Sequence, residues 1–125
     1  MPHLPLDQDS IATLVHEFYD DIRTDDELAP IFNLAIGPRW ESHLDRMVDF
    51  WCTVMLGNRG FQGNVYGKHM ALSGVEPEHF RRWLALFESH TKRLISPDDA
   101  TEFQIVARRI AASLQYGFFG EVKVS

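Results

Sequence analysis

His69 lies in the segment Tyr66-Gly67-Lys68-His69-Met70-Ala71-Leu72, with a glycine two residues ahead of it. Upstream stand two further stretches of matching chemistry, Phe18-Tyr19 and His43. A histidine presented from a short glycine-bounded segment can ligate a metal through a neutral ring nitrogen. Its other nitrogen then donates to a carbonyl or carboxylate that fixes the ring. A second histidine and a tyrosine converging from elsewhere would place polar groups opposite the metal, which is the equipment for holding a haem iron. One histidine alone is weak evidence, because most are surface residues or satisfied by hydrogen bonds; the conjunction carries the reading. Tyr19 follows Phe18 on an apolar stripe, where a buried phenol needs a polar partner. His43 shares a face with Met47 and Phe50, an odd place for an imidazole unless it borders a cavity. Trp83 sits among Phe80, Leu84 and Phe87, and its indole N–H also needs an acceptor.

The elements that must position these residues read as helices. Ile11, Leu14, Val15, Phe18, Tyr19 and Ile22 recur at three- and four-residue spacing, one apolar helix face, with Asp7 or Ser10 as cap. Pro30 is expected to end regular helix, leaving Ile31-Phe32 at a corner before Gly37-Pro38. Pro38 is expected to open a second long helix carrying His43, Met47, Phe50 and Val54, since proline is favourable just inside a helix start. The three glycines between Gly57 and Asn64 predict an irregular loop running toward His69. Glu76-Pro77 predicts a third helix bearing Phe80, Trp83, Leu84 and Phe87. Ser96-Pro97-Asp98-Asp99 predicts a fourth, capped by Ser96, with Ala100, Phe103, Ala107, Ile110 and Leu114 on one stripe up to Gly117. No strand alternation or internal repeat is seen. The expected fold is all-α.

Bulk properties set bounds. A chain of 125 residues is expected to form one domain, 1–125 with its core at about 10–117, and to bury about two-thirds of its unfolded-chain surface. Twelve basic against eighteen acidic residues give a net charge of −6, which argues against nucleic acid, where affinity comes from neutralising phosphates with Lys and Arg. Arg81-Arg82, Lys92-Arg93 and Arg108-Arg109 read as solvated helix faces, and His16, Glu17, His79 and His90 as surface residues. No stretch approaches a membrane span, and no signal pattern opens the chain. Cys52 is the one cysteine, set on an apolar stripe as a small core residue, so a reducing cytoplasm is the expected location.

Six motifs resemble those of the truncated haemoglobins: Phe18-Tyr19, Pro30-Ile31-Phe32, Trp40-x-x-His43, Asp49-Phe50-Trp51, Lys68-His69-x-x-Leu72 and Phe80-x-x-Trp83-Leu84-x-Leu86-Phe87. Within that superfamily they look like the third group, which carries a distal histidine and lacks the glycine-pair motifs of the others. The resemblance runs from about Ser10 to Leu114. Each motif is permissive alone; six in order are specific. The resemblance implies a two-over-two helical sandwich around haem b, with His69 as the proximal iron ligand. Tyr19, His43 and Trp83 would line the distal side. Phe32 would pack on the porphyrin face, Met47 and Phe50 would form apolar distal wall, and Phe80 would join the haem-binding residues. Lys68, and after it Tyr66, would meet a haem propionate. The implied ligands are O2, NO and CO, and the implied chemistry is redox work such as nitric oxide dioxygenation or peroxide activation, supported by an unidentified reductase, rather than bulk transport.

Other chemistries fit less well. A di-iron bundle needs repeated Glu-x-x-His pairs on facing helices, and only Glu76-x-x-His79 matches, with Pro77 placing it at a helix start. Zinc hydrolysis lacks His-Glu-x-x-His and any cysteine pair. A cofactor-free helical interaction or regulatory module is the alternative to haem binding.

Overall fold

The structure, a computed structural model, describes residues 4–57 and 76–119, and for 116–119 the backbone alone. Helix α1 spans Gln8–Thr24. Asp7 and Ser10, alternative caps on sequence grounds, act together: the Ser10 amide donates to Asp7 Oδ1 (2.9 Å) and the Asp7 amide to Ser10 Oγ (3.0 Å). That reciprocal pair satisfies two amides that a helix start otherwise leaves without partners. The expected stripe, Ile11 through Ile22, is buried along its whole length.

Helix α2, Ala29–Ile36, corrects one expectation. Pro30 sits in its first turn instead of ending a helix. In that position the missing N–H costs nothing and the fixed φ is already helical. Gly37 (φ 56°) closes α2, and Pro38 lies in a 3₁₀ turn, Gly37–Arg39, that runs directly into α3. Helix α3 spans Trp40–Leu56 and ends at Gly57, whose φ of 76° is left-handed and suits glycine.

Helices α4 (Pro77–Leu94) and α5 (Pro97–Phe119) follow. At the head of α4 the Glu76 amide donates to His79 Nδ1 (2.9 Å), so His79 works as a capping residue. At the head of α5 Ser96 Oγ donates to Asp99 Oδ2 (3.1 Å), a bond between the two side chains, and the helix continues past Gly117.

The layers are α1 against α3 and α4 against α5, joined where α1 crosses α4: the two-over-two arrangement. At the crossing Phe18 meets Phe87 edge-on (5.1 Å between centroids), and Phe87 stacks on Trp83 (5.7 Å, 4°) and Trp51 (5.1 Å, 22°). Trp51 also reaches Phe103 on α5 (5.3 Å). Each such buried ring contributes about 1.5–3 kcal/mol by leaving water, so these few contacts account for much of the hold between layers. Cys52 is buried in the same core, as expected. Among the described residues no helix is long and apolar enough to cross a membrane.

Candidate functional site

Tyr19 stands one residue after the core ring Phe18, so the 100° step of the helix turns it toward α2 and α3. It is 5% exposed. Its ring meets three others edge-on: Phe32 of α2 at 6.3 Å, and Trp40 and His43 of α3 at 5.9 and 5.2 Å. His43 is half-buried, and its Nε2 is shielded from solvent. Two candidates far apart in sequence, Tyr19 and His43, are therefore brought into direct contact.

Burial alone pushes the Tyr19 phenol well above its ordinary value of 10.0. Removing the phenolate's hydration with no compensating charge nearby favours the protonated form. The phenol therefore keeps its proton and can act as a donor.

The remaining candidates divide. Trp83 does not touch Tyr19 directly; Phe18 lies between them, 5.0 Å from one and 5.7 Å from the other. Met47 and Phe50 are half-buried along α3 and, like Phe32, pack against the core cluster. Phe80 is 8% exposed in an apolar cluster with Ala111 and Leu114 of α5. His69, Tyr66 and Lys68, together with the glycine-rich stretch before them, lie outside the described residues.

Sequence reasoning passed over two features. Trp40, quoted as part of a motif, is 6% exposed and touches both Tyr19 and His43. Its three-residue spacing from His43 was the available signal. His90 is not a surface residue, as expected from sequence, but 8% exposed. Its Nε2 pairs with Asp21 Oδ2 of α1, and its Nδ1 with Arg93, which reaches on to Glu17. Polar partners on α1, invisible from α4 alone, make that burial tolerable.

The donor set fits haem. A phenol and an imidazole meet beside Phe32, and half-buried Met47 and Phe50 lie on the helix that carries the imidazole, residue types that suit a flat apolar macrocycle whose small ligand needs polar company. No family model matches the chain. A group 3 truncated haemoglobin, ctb of Campylobacter jejuni, is 40% identical over 86 residues, covering 66% of this chain and 68% of the relative. The crystal structure of a group III truncated haemoglobin from Campylobacter jejuni superimposes with a TM-score of 0.88 at 32% identity, covering 95% of this chain and 96% of the other. With the helix order, the two-over-two layers and the Tyr19–His43 contact on the same page, the chain belongs to the group III truncated haemoglobins, globins that bind haem and small diatomic ligands.

Proposed function

We propose that the chain, as one domain over residues 1–125, holds haem b between its helix layers and carries out redox chemistry on diatomic ligands, nitric oxide dioxygenation or peroxide activation, rather than bulk transport. The observation that carries this reading is the buried Tyr19 phenol in edge-on contact with His43, a protonated donor beside an imidazole. His69 is the proposed proximal ligand, Lys68 the first choice for a propionate and Tyr66 the second. Haem supplies an iron that takes a diatomic ligand when ferrous. Tyr19 and Trp83 then offer O–H and N–H donors to a ligand that draws negative charge as it binds. A hydrogen bond to a charged group contributes about 1.5–3 kcal/mol, and 1.4 kcal/mol is tenfold, so two donors slow release by about a hundredfold or more. Slow release serves chemistry better than delivery. The roles open to His43, whose Nε2 is shielded, are to gate ligand entry, to ligate ferric iron weakly or to move a proton at that atom. Such chemistry calls for a reductase as partner and fits a reducing cytoplasm.

The test is the visible spectrum of the full chain after haem reconstitution, in ferric, ferrous and carbon monoxide forms. A sharp Soret band that shifts on reduction and again with carbon monoxide is expected. A featureless spectrum would leave the helices as an interaction module without cofactor.

A further inference from the structure

Trp40 joins three elements. It opens α3, its indole Nε1–H donates to Asn33 Oδ1 of α2 (3.0 Å), and on α1 it lies between Tyr19 and Arg23, whose guanidinium sits 4.7 Å over its ring. Tyr19 and Arg23 are one helical turn apart, so they present neighbouring contacts to the same indole. The His43 ring stands perpendicular to both Trp40 (5.6 Å, 90°) and Tyr19 (5.2 Å, 90°). An imidazole held edge-on between two larger rings has few rotamers open to it, and the larger ring of the two is itself tied by a hydrogen bond and a cation.

We propose that Trp40, tied by Asn33 and Arg23, is a positioning residue that braces His43 against Tyr19 and so sets how far the histidine swings when a ligand enters. The proposal rests on the reading of this cluster as the distal side of a haem pocket. Trp40 itself touches no ligand; it acts through the two rings it supports. Loosening it should populate a second His43 orientation, leave Tyr19 less well aimed, and speed both entry and escape of ligand.

The test uses the haem-reconstituted full chain with ¹³C-labelled histidine, comparing wild type with Trp40→Leu, Trp40→Phe and Asn33→Leu. Readouts are the His43 imidazole resonances, assigned with His43→Gln, the C–O stretching band of the carbon monoxide form, and oxygen dissociation. Trp40→Leu is expected to shift and broaden the His43 resonances, to split the C–O band and to raise the dissociation rate about three- to tenfold, the scale of one lost aromatic contact. Trp40→Phe, which keeps a ring, should restore most of the wild-type pattern, a rescue that a generally loosened fold would not give. Where Trp40→Leu does not fold, Asn33→Leu decides, since it frees the indole without removing it; the same changes at about a third of the size are expected. Wild-type His43 resonances, C–O band and rates in these variants would overturn the proposal. A wild-type chain with no Soret band would instead overturn the haem reading, and this proposal with it.

Discussion

Phe18 and Tyr19 are neighbours on α1, yet they serve opposite sides of the molecule. Phe18 feeds the ring network of Phe87, Trp83 and Trp51, in which every contact is apolar and the helix layers are locked together. Tyr19 feeds a smaller cluster in which each ring beside Phe32 carries a polar atom: the phenol O–H, the His43 imidazole and the Trp40 indole, the last already bonded to Asn33. Both regions are well buried, but only the first uses its burial for stability. In the second, a phenol and an imidazole are brought together inside an otherwise apolar packing, polar groups that add nothing to an apolar core.

The largest effect should come from the apolar side. Phe87→Ala removes a ring that touches four others on four helices and leaves a cavity, which costs about 3–5 kcal/mol. Urea unfolding of the variant measures it. A loss under about 1 kcal/mol would mean that the ring network is not what joins the layers.

Next in size is Asp25, which lies between the two regions at the turn from α1 to α2. Its Oδ2 accepts the Glu27 and Leu28 amides, and its Oδ1 accepts Arg82 Nε (2.8 Å) and lies 2.6 Å from Nη2. Burial pushes the carboxyl pKa up, but the Arg82 and amide hydrogen bonds together outweigh it, and the net direction is down. A folded-state pKa below the unfolded one stabilises above the unfolded value near 3.8, and that contribution is lost as pH falls through the folded value. Asp25→Ala is expected to cost about 2–3 kcal/mol at neutral pH, because two amides and a guanidinium lose a buried partner. The variant should also show a shallower fall in stability at acid pH. Parallel pH profiles for variant and wild type would remove Asp25 as an acid-sensitive tie.

Tyr19→Phe sharpens the contrast, since it separates holding a ligand from holding the fold. Oxygen dissociation should rise about tenfold or more, the loss of one charge-assisted bond, or about 1.4 kcal/mol. Urea stability at neutral pH should hold within about 0.5 kcal/mol, because phenylalanine keeps the ring and its edge-on contacts. In the wild type the raised phenol pKa means that its stability contribution is full below the unfolded value of 10.0 and is lost as pH climbs toward the folded one; the phenylalanine variant should lack that alkaline decline. An unchanged off-rate would remove Tyr19 from ligand binding.

Legibility in the sequence followed the same division. Apolar stripes at helical spacing, such as Ile11 to Ile22, located the long helices because burial leaves a periodic trace. Pro30 misled because a proline that stops one helix and one that starts the next look alike until the residues after it are seen to be helical. Tyr19 and His43 were recognisable by type, but nothing local says that they touch. The Trp40–Asn33 bond crosses a 3₁₀ turn, and Asp25 and Arg82 are 57 positions apart, separations at which periodicity carries no information. His90 was misread for the same reason, since Asp21 lies 69 positions away on α1.

The smallest expected effect lies at the outer end of that His90 network. Arg93 joins His90 Nδ1 and Glu17 Oε1 (2.9 and 2.8 Å), and both side chains of the Arg93–Glu17 pair are 40% or more exposed. Solvent screening leaves such a pair worth about 0–1 kcal/mol, and salt reduces it further. Arg93→Met should therefore cost about 0.5 kcal/mol at low salt and less at high salt, with oxygen dissociation unchanged, because the arginine lies beyond Phe18 from the Tyr19 cluster. A salt-independent loss above about 1.5 kcal/mol would mean that Arg93 acts through His90, holding a buried imidazole that otherwise has only Asp21 to satisfy it. The α1–α4 crossing would then depend on a polar tie as well as on its rings.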